Sequence, residues 1–260
     1  MASLLRSGLH CAVPQLISKP VETFNVLKLA ERLRSTSAKT IPQPFEDLRV
    51  VRLIEADREA VIDFMQKDFR MTEPLMGSLG ISERDARHFF AKTADYTIVH
   101  PISFAMKRPD GQIVGLCLNT FLSRPKEGER EEPVVLDNRL ANYLVGIVDD
   151  CRAKIWDHLP ENVNKVVDFA ILSVDSSYGR RGIGSRLINA VFKENLKAQG
   201  VQGIVCELSN VTSQQLFIEK YGFEGICDIK YSEWEGHEGR QIFDCSKFHT
   251  DRVVCAWKPL

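Results

Sequence analysis

A buried strand that leads into a glycine-rich turn and then an amphipathic helix is the feature that most constrains this chain. Residues 166–174 are nearly all apolar, as in a strand covered on both faces. The turn that follows contains Gly179, Gly182 and Gly184. From Gly182 to Gln199, apolar residues then recur at helical spacing. This succession predicts an α/β fold with a strand–helix–strand crossover.

The turn has the chemistry of an anion site. The first amides of a helix have no intrahelical partner and lie at the positive end of its dipole, so they bind phosphate or pyrophosphate. Glycines let a bulky ligand approach the backbone, and Arg180, Arg181 and Arg186 add positive charge. The glycine spacing does not fit a GxGxxG dinucleotide site, and the GK[ST] ending of a P-loop is absent. These residues alone are also compatible with a glycine-rich turn that binds no ligand.

The rest of the chain predicts one mixed α/β domain over residues 44–260. Hydrophobic spacing indicates the element order β-α-α-β-β-α-β-α-β-α-β-β, with an early meander around the turn at Asp110-Gly111. We expect Asp57 to cap the first helix and the segment 71–77, which contains Pro74, to break it. Ser82 is expected to start the second helix with a capping-box pattern.

Composition excludes several classes of protein. The formal net charge is -1 over 260 residues, so no dominant positive field exists to attract nucleic acid or a membrane surface. No apolar run approaches the ~20 residues that span a bilayer. The seven cysteines are scattered and form no CxxC pair, and the six histidines show no HExxH spacing. We therefore expect reduced thiols in an intracellular compartment and no metal site.

Residues 1–43 form a separate, basic segment. They contain six Lys or Arg residues but only Glu22 and Glu31 as acids, and serine is frequent. This composition is typical of a mitochondrial transit peptide, and an extension that carries no targeting signal is the alternative. The expected location is cytoplasmic, with mitochondrial as the alternative.

The strand–turn–helix segment, residues 174–187, resembles motif A of the GNAT acetyltransferases, which wraps the pyrophosphate of acetyl-CoA. Residues 180–184 read RRGIG, as in many members. The first motif position, usually Gln or Arg, is Gly179 here, but binding through backbone amides does not need that side chain. The resemblance implies acetyl-CoA as acyl donor and assigns its contacts to Leu172, Ser173, Val174, Gly179, Arg180, Arg181, Gly182, Ile183, Gly184 and Ser185.

The likeness continues downstream, where residues 207–223 resemble GNAT motif B. It implies the GNAT, or acyl-CoA N-acyltransferase, fold: a mixed central sheet with splayed parallel strands and flanking helices. In that fold the pantetheine arm enters the wedge between the splayed strands and pairs with their backbone like an added strand. Residues 172–174 would supply that edge.

A third segment, residues 68–75, is similar to the F-x-x-x-EPL segment of the arylalkylamine N-acetyltransferases of invertebrates. An alkylammonium has a pKa near that of lysine, so it must lose a proton before it attacks a thioester. In the insect enzymes the glutamate of EPL accepts that proton, which makes Glu73 the expected general base. Burial would raise the pKa of its carboxyl group and suit it to work near neutral pH.

The source of a proton for the departing CoA thiolate is a separate question. Many GNAT enzymes use a motif B tyrosine four positions before the glycine of GF, but that position is Ile218 here. The insect relatives use serines near the start of the motif B helix, so Ser209 and Ser213 are the candidates. Helix capping or packing is the alternative role for Ser213.

The predicted partners are acetyl-CoA and a small amine, with no nucleic acid, membrane or metal. Transfer of the acetyl group to an arylalkylamine is the leading hypothesis, and an aromatic amine would need an apolar pocket, for which Phe69, Met71 and Met76 are candidates. A polyamine, an amino acid or a protein amine is the second hypothesis, and a strongly acidic pocket would favour polyamine. A GNAT-fold module that binds CoA without turnover is the third.

Overall fold

The computed structural model describes residues 47–126, 138–236 and 239–260. The predicted N-terminal extension, residues 1–43, lies outside the described residues. Among the described helices, none is long and apolar enough to span a bilayer.

Seven strands form one mixed sheet in the order β1-β2-β3-β4-β5-β7-β6. Neighbouring strands run antiparallel except β4 and β5, which are parallel because a helix crosses over between them. The strands are β1 (Arg49–Arg52), β2 (Phe104–Lys107), β3 (Ile113–Ser123), β4 (Lys165–Val174), β5 (Gly203–Leu208), β6 (Glu224–Lys230) and β7 (Arg252–Pro259).

The helices cover both faces of this sheet. Two of them contain a π-helical turn: α1 continues through Met65–Phe69 to Arg70–Thr72, and α7 continues through Gln215–Lys220. The helices are α1 (Arg58–Phe64), α2 (Pro74–Leu79), α3 (Glu83–Ile98), α4 (Arg139–Arg152), α5 (Ile155–His158), α6 (Ile183–Phe192) and α7 (Val211–Gln214).

Two apolar clusters hold the helices against the sheet. On one face, side chains of α6 and α7 such as Leu187 and Phe217 pack against strand residues such as Val167. On the other face, α1 to α5 pack over residues such as Leu118 and Val205. The predicted mixed α/β architecture is confirmed, and two short helices, α2 and α5, add to the predicted order.

Two local predictions were wrong. The helix expected to run to Gln199 ends at Phe192, and a short 3₁₀ turn follows at Lys197–Gln199. The prediction extended too far because Leu196, which lies beyond the end of the helix, is buried and continues the apolar pattern. Asp57 does not cap α1 with its side chain. Its carboxylate instead accepts a hydrogen bond from the Ile54 amide and pairs with the ammonium group of Lys107.

The parallel strands β4 and β5 separate partway along their length. They pair only where Val166–Asp168 meet Gly203–Val205, while β4 continues to Val174 and β5 to Leu208. Beyond Asp168, the edge of β4 that faces β5 therefore lines an opening. This opening is the wedge that the splayed-strand prediction required.

Candidate active site

A cavity of about 800 Å³ occupies the wedge between β4 and β5. Residues that are far apart in the sequence line this cavity. They include Glu73 in the α1–α2 turn, the end of β4, the start of α6 and Ser209 after β5. All thirteen residues predicted from the motifs as catalytic or donor-binding are among its lining residues. The fold therefore brings the predicted site together in one place.

The glycine-rich turn presents backbone amides to this cavity. Gly182 is the N-cap of α6 and has a φ of +73°, a conformation in which a side chain would be strained. The first intrahelical bond runs from the Arg186 amide to the Gly182 carbonyl at 3.0 Å. The amides of Ile183, Gly184 and Ser185 precede that bond and form the positive end of the helix. These three amides are therefore suited to donate hydrogen bonds to a pyrophosphate group.

Two aspartates shape the loop before that helix. The Asp175 carboxylate accepts hydrogen bonds from the Ser177 amide at 2.9 Å and the Ser177 hydroxyl at 2.5 Å. The buried Asp68 carboxylate, on α1, accepts from the Ser176 amide at 3.2 Å. Asp68 was missed by sequence reasoning, because it lies 108 residues from its partner and no local pattern marks it.

The three arginines near the turn have different roles. Arg180 and Arg181 line the cavity, and the Arg181 guanidinium lies 5.3 Å from the centre of the Tyr178 ring. Arg186 instead donates a hydrogen bond to the Leu48 carbonyl at 3.0 Å, which ties α6 to the chain before β1. Arg186 was predicted to add positive charge at the phosphate site, and its guanidinium instead stabilises the position of α6.

The Glu-Pro sequence places Glu73 in the cavity wall. A residue before proline favours extended backbone, and Glu73, with φ -75° and ψ 126°, ends α1 and caps α2. Its Oε2 atom accepts a hydrogen bond from the Met76 amide at 2.6 Å. Its Oε1 atom accepts from the Ser209 hydroxyl at 2.8 Å, across 136 residues of chain.

Burial raises the pKa of the Glu73 carboxyl group, because the charged form loses hydration. The hydrogen bonds from Met76 and Ser209 act in the opposite direction but do not cancel the effect of burial. A buried carboxylate that is raised in pKa and lies in a cleft has the properties of a general base.

The two candidate serines differ in their partners. The Ser209 hydroxyl donates to Glu73, while the Ser209 carbonyl accepts from Tyr231 at 2.9 Å and from Thr250 at 3.1 Å. The Ser213 hydroxyl donates to the Asn210 carbonyl at 2.7 Å, within the first turn of α7. Both line the cavity, but Ser209 is the one in contact with the predicted base.

The cavity wall beside Glu73 is largely apolar and aromatic. Phe69 lines it as predicted, but two predicted neighbours do not: the Met71 side chain is 59% exposed, and Met76 is fully buried in the core. Helical geometry turns those two side chains away from the cleft. The further apolar and aromatic lining residues on α3 and α4 are Phe89, Tyr96, Leu144, Val145 and Val148.

A charged cluster lies deeper in the same wall. Arg152 contacts Asp168 at 3.0 Å, Glu207 at 3.2 Å and Asp149 at 3.8 Å. Burial lowers the pKa of Arg152, but Glu207, Asp168 and Asp149 outweigh it and hold that pKa above its ordinary value. The cluster holds three carboxylates around one guanidinium, and no local sequence pattern predicts it because its members lie on three elements, α4, β4 and β5.

Comparison with known proteins agrees with the motifs. Residues 134–225 match the family model described as acetyltransferase (GNAT) domain. This range includes β4, the glycine-rich turn and both predicted motifs up to the start of β6.

Solved structures of three insect proteins share the fold, each covering 82% of this chain. Arylalkylamine N-acetyltransferase 2 of Aedes aegypti is 21% identical, with a TM-score of 0.66 over 99% of its own chain. A putative arylalkylamine N-acetyltransferase 7 from the same mosquito is 19% identical, with a TM-score of 0.69 over 87%. A polyamine N-acetyltransferase of Drosophila melanogaster that forms N-acetylagmatine is 17% identical, with a TM-score of 0.68 over 100%.

The predictions of a GNAT fold and of an acetyl-CoA-dependent N-acetyltransferase domain are thus supported by separate observations. The splayed sheet is the fold of the solved structures, and the family model matches the segment with the donor motifs. Residues 134–225 thus match a GNAT acetyltransferase domain, and the described part of the chain has the fold of these N-acetyltransferase structures.

Proposed function

We propose that this protein transfers the acetyl group of acetyl-CoA to the primary amine of a small arylalkylamine, with Glu73 as general base. The observation that carries this proposal is the position of the Glu73 carboxylate. It is buried in the wall of the wedge, in the cavity that the amides at the start of α6 also line. An acyl donor bound by those amides and an amine beside Glu73 would share one cavity.

The donor would be bound by backbone groups. The amides of Ile183, Gly184 and Ser185 would bind the pyrophosphate, and the exposed edge of β4 at residues 172–174 would pair with the pantetheine arm. This edge has no partner in β5 beyond Asp168, so the added pairing satisfies groups that the wedge leaves open.

Acetyl transfer would then need two proton movements. Glu73 takes a proton from the ammonium group, directly or through a water molecule, and the neutral amine attacks the thioester carbonyl carbon. A C–N bond forms, the C–S bond breaks, and the second proton lost by the amine nitrogen balances the proton that the CoA sulfur takes up. The CoA thiolate leaves and takes up a proton, for which Ser209 and Ser213 are the candidate donors.

Replacing Ser209 with alanine is expected to shift the pH dependence of the reaction. The Ser209 hydrogen bond lowers the pKa of Glu73, so its loss raises that pKa further. The active form is the ionised carboxylate, and the ascending limb of the kcat/KM profile should therefore move to higher pH in the variant. At pH values above the shifted limb the two rates should converge.

Steady-state CoA release from pH 5.5 to 9.5 checks this expectation. A variant that is slower by the same factor at every pH would instead assign Ser209 a role in protonating the thiolate. Ser213→Ala is the matched control, because its hydroxyl bonds to Asn210 and not to Glu73; it should leave the limb unchanged.

The amine-binding wall favours an aromatic substrate and also offers a second candidate. Phe69, Phe89 and Tyr96 supply aromatic surface to the cavity that Glu73 also lines. Asp149, Asp168 and Glu207 also line the cavity, around Arg152, and acidic groups in the wall favour a substrate with a second cationic centre. A polyamine or agmatine-like amine is therefore the second candidate.

A substrate panel separates the two candidates. We expect tryptamine, dopamine, octopamine and tyramine to have higher kcat/KM values than spermidine, agmatine and lysine. A higher value for spermidine or agmatine, lowered selectively by Asp149→Asn, would instead identify a polyamine enzyme. Acetyl-CoA binding without turnover of any of these amines would favour the non-catalytic module.

A further inference from the structure

Three cysteines that are far apart in sequence meet where α4 packs against β6 and β7. Cys151 lies near the C-terminal end of α4, Cys227 on β6 and Cys255 on β7. Their Sγ atoms all lie within 4.8 Å of one another. All three are free thiols, so the cluster is a set of unoxidised sulfur donors.

The sheet fixes two of these cysteines and the helix supplies the third. Cys227 and Cys255 are direct register partners across β6 and β7, which places both side chains on the same face. Both thiols donate to the Cys151 carbonyl, with sulfur–oxygen distances of 3.8 Å. The three sulfurs are thus held on separate rigid elements and not on one flexible loop.

The spacing suits coordination of a single ion. Three sulfurs at ~2.3 Å from a central ion in a plane would lie about 4 Å from one another. The observed separations need only small side-chain rotations to reach that value. The end of α4 adds the negative end of a helix dipole, which favours a cation.

We propose that Cys151, Cys227 and Cys255 form a three-thiolate site for a soft metal ion, with monovalent copper as the expected ion. Thiolates are the ligands that soft ions such as Cu(I) prefer. Structural zinc sites are almost always four-coordinate, and the cluster found among the described residues supplies three donors. Binding replaces thiol protons with the ion, so it releases protons to solvent.

The site has an entry path from solvent. Cys151 and Cys255 are completely buried, whereas Cys227 is half-buried and reaches the surface. An ion delivered by a soluble carrier would therefore reach Cys227 first.

The test uses the reduced full-length chain under anaerobic conditions, titrated with Cu(I) held by a chromophoric chelator. We expect the wild type to remove one Cu(I) ion per chain from the chelator, and X-ray absorption to show three sulfur ligands. Cys227→Ser should weaken this uptake by at least about 10-fold, as loss of one of three ligands implies. The half-exposed position of Cys227 makes that variant the one expected to fold, which thermal unfolding checks.

Cys206→Ser is the matched control. Cys206 is also a buried thiol but belongs to the apolar cluster on the other face of the sheet, so its replacement should leave the uptake unchanged. Equal uptake by the wild type and Cys227→Ser would overturn the proposal. Preferential binding of Zn(II) over Cu(I), or a metal with fewer than three sulfur ligands, would overturn it as well.

Discussion

Replacing Glu73 with glutamine is expected to lower kcat by about 10²- to 10⁴-fold, the usual contribution of a general base, while the affinity for acetyl-CoA stays unchanged. Glutamine cannot accept the ammonium proton. It can still accept a hydrogen bond from the Met76 amide, and its own amide can donate to the Ser209 oxygen, so both contacts of Glu73 survive in altered form. The loss should therefore be confined to the chemical step.

Two measurements separate chemistry from binding and folding. CoA release gives kcat, and calorimetric titration with acetyl-CoA gives the dissociation constant. Glu161→Gln is the matched control, because it makes the same chemical change on an exposed side chain, and its rate should equal that of the wild type. An unchanged rate in Glu73→Gln would remove Glu73 from the mechanism.

Replacing Gly184 with aspartate is expected to weaken acetyl-CoA binding by about 100-fold or more, since two like charges ~4 Å apart near a protein surface repel by about 4 kcal/mol. The carboxylate would stand in the first turn of α6, where the pyrophosphate is expected. An acidic residue in a first turn stabilises the helix, so the fold should keep its thermal stability.

Gly184→Ala is the matched control, because it adds a side chain without adding a charge. A Cβ atom at this position would lie 3.6 Å from Leu216 and 3.8 Å from Leu172, which is ordinary contact. We expect the alanine variant to bind acetyl-CoA within about threefold of the wild type, since small surface changes cost little. Equal binding by the aspartate variant would place the pyrophosphate elsewhere.

Local sequence rules predicted the elements best where backbone chemistry is strong. The apolar run of β4, the glycine at position 182 and the Glu-Pro break each specify a conformation within a few residues. The same rules predicted an α6 that is too long. Leu196 is buried at a position that fits helical spacing, although its segment is not helical and leads back toward β5. They also assigned Asp57 to a cap, although its carboxylate pairs with Lys107 on β2.

The chemical properties of the site depend on contacts between residues that are far apart in sequence, which no local sequence pattern predicts. Glu73 was predicted from a family resemblance, but its bond to Ser209 requires α2 and the end of β5 to meet. The Arg152 cluster and the three-cysteine cluster likewise join residues from separate elements. Cysteines without CxxC spacing predicted no metal site, because spacing rules describe ligands on one loop and not across a sheet.

Calorimetric titration of the purified chain with acetyl-CoA shows whether the wedge between β4 and β5 holds the acyl donor through the amides at the start of α6. We expect saturable binding of one molecule per chain, strongly weakened in Gly184→Asp and kept in Gly184→Ala. A wild-type protein that shows no association with acetyl-CoA or CoA would contradict it.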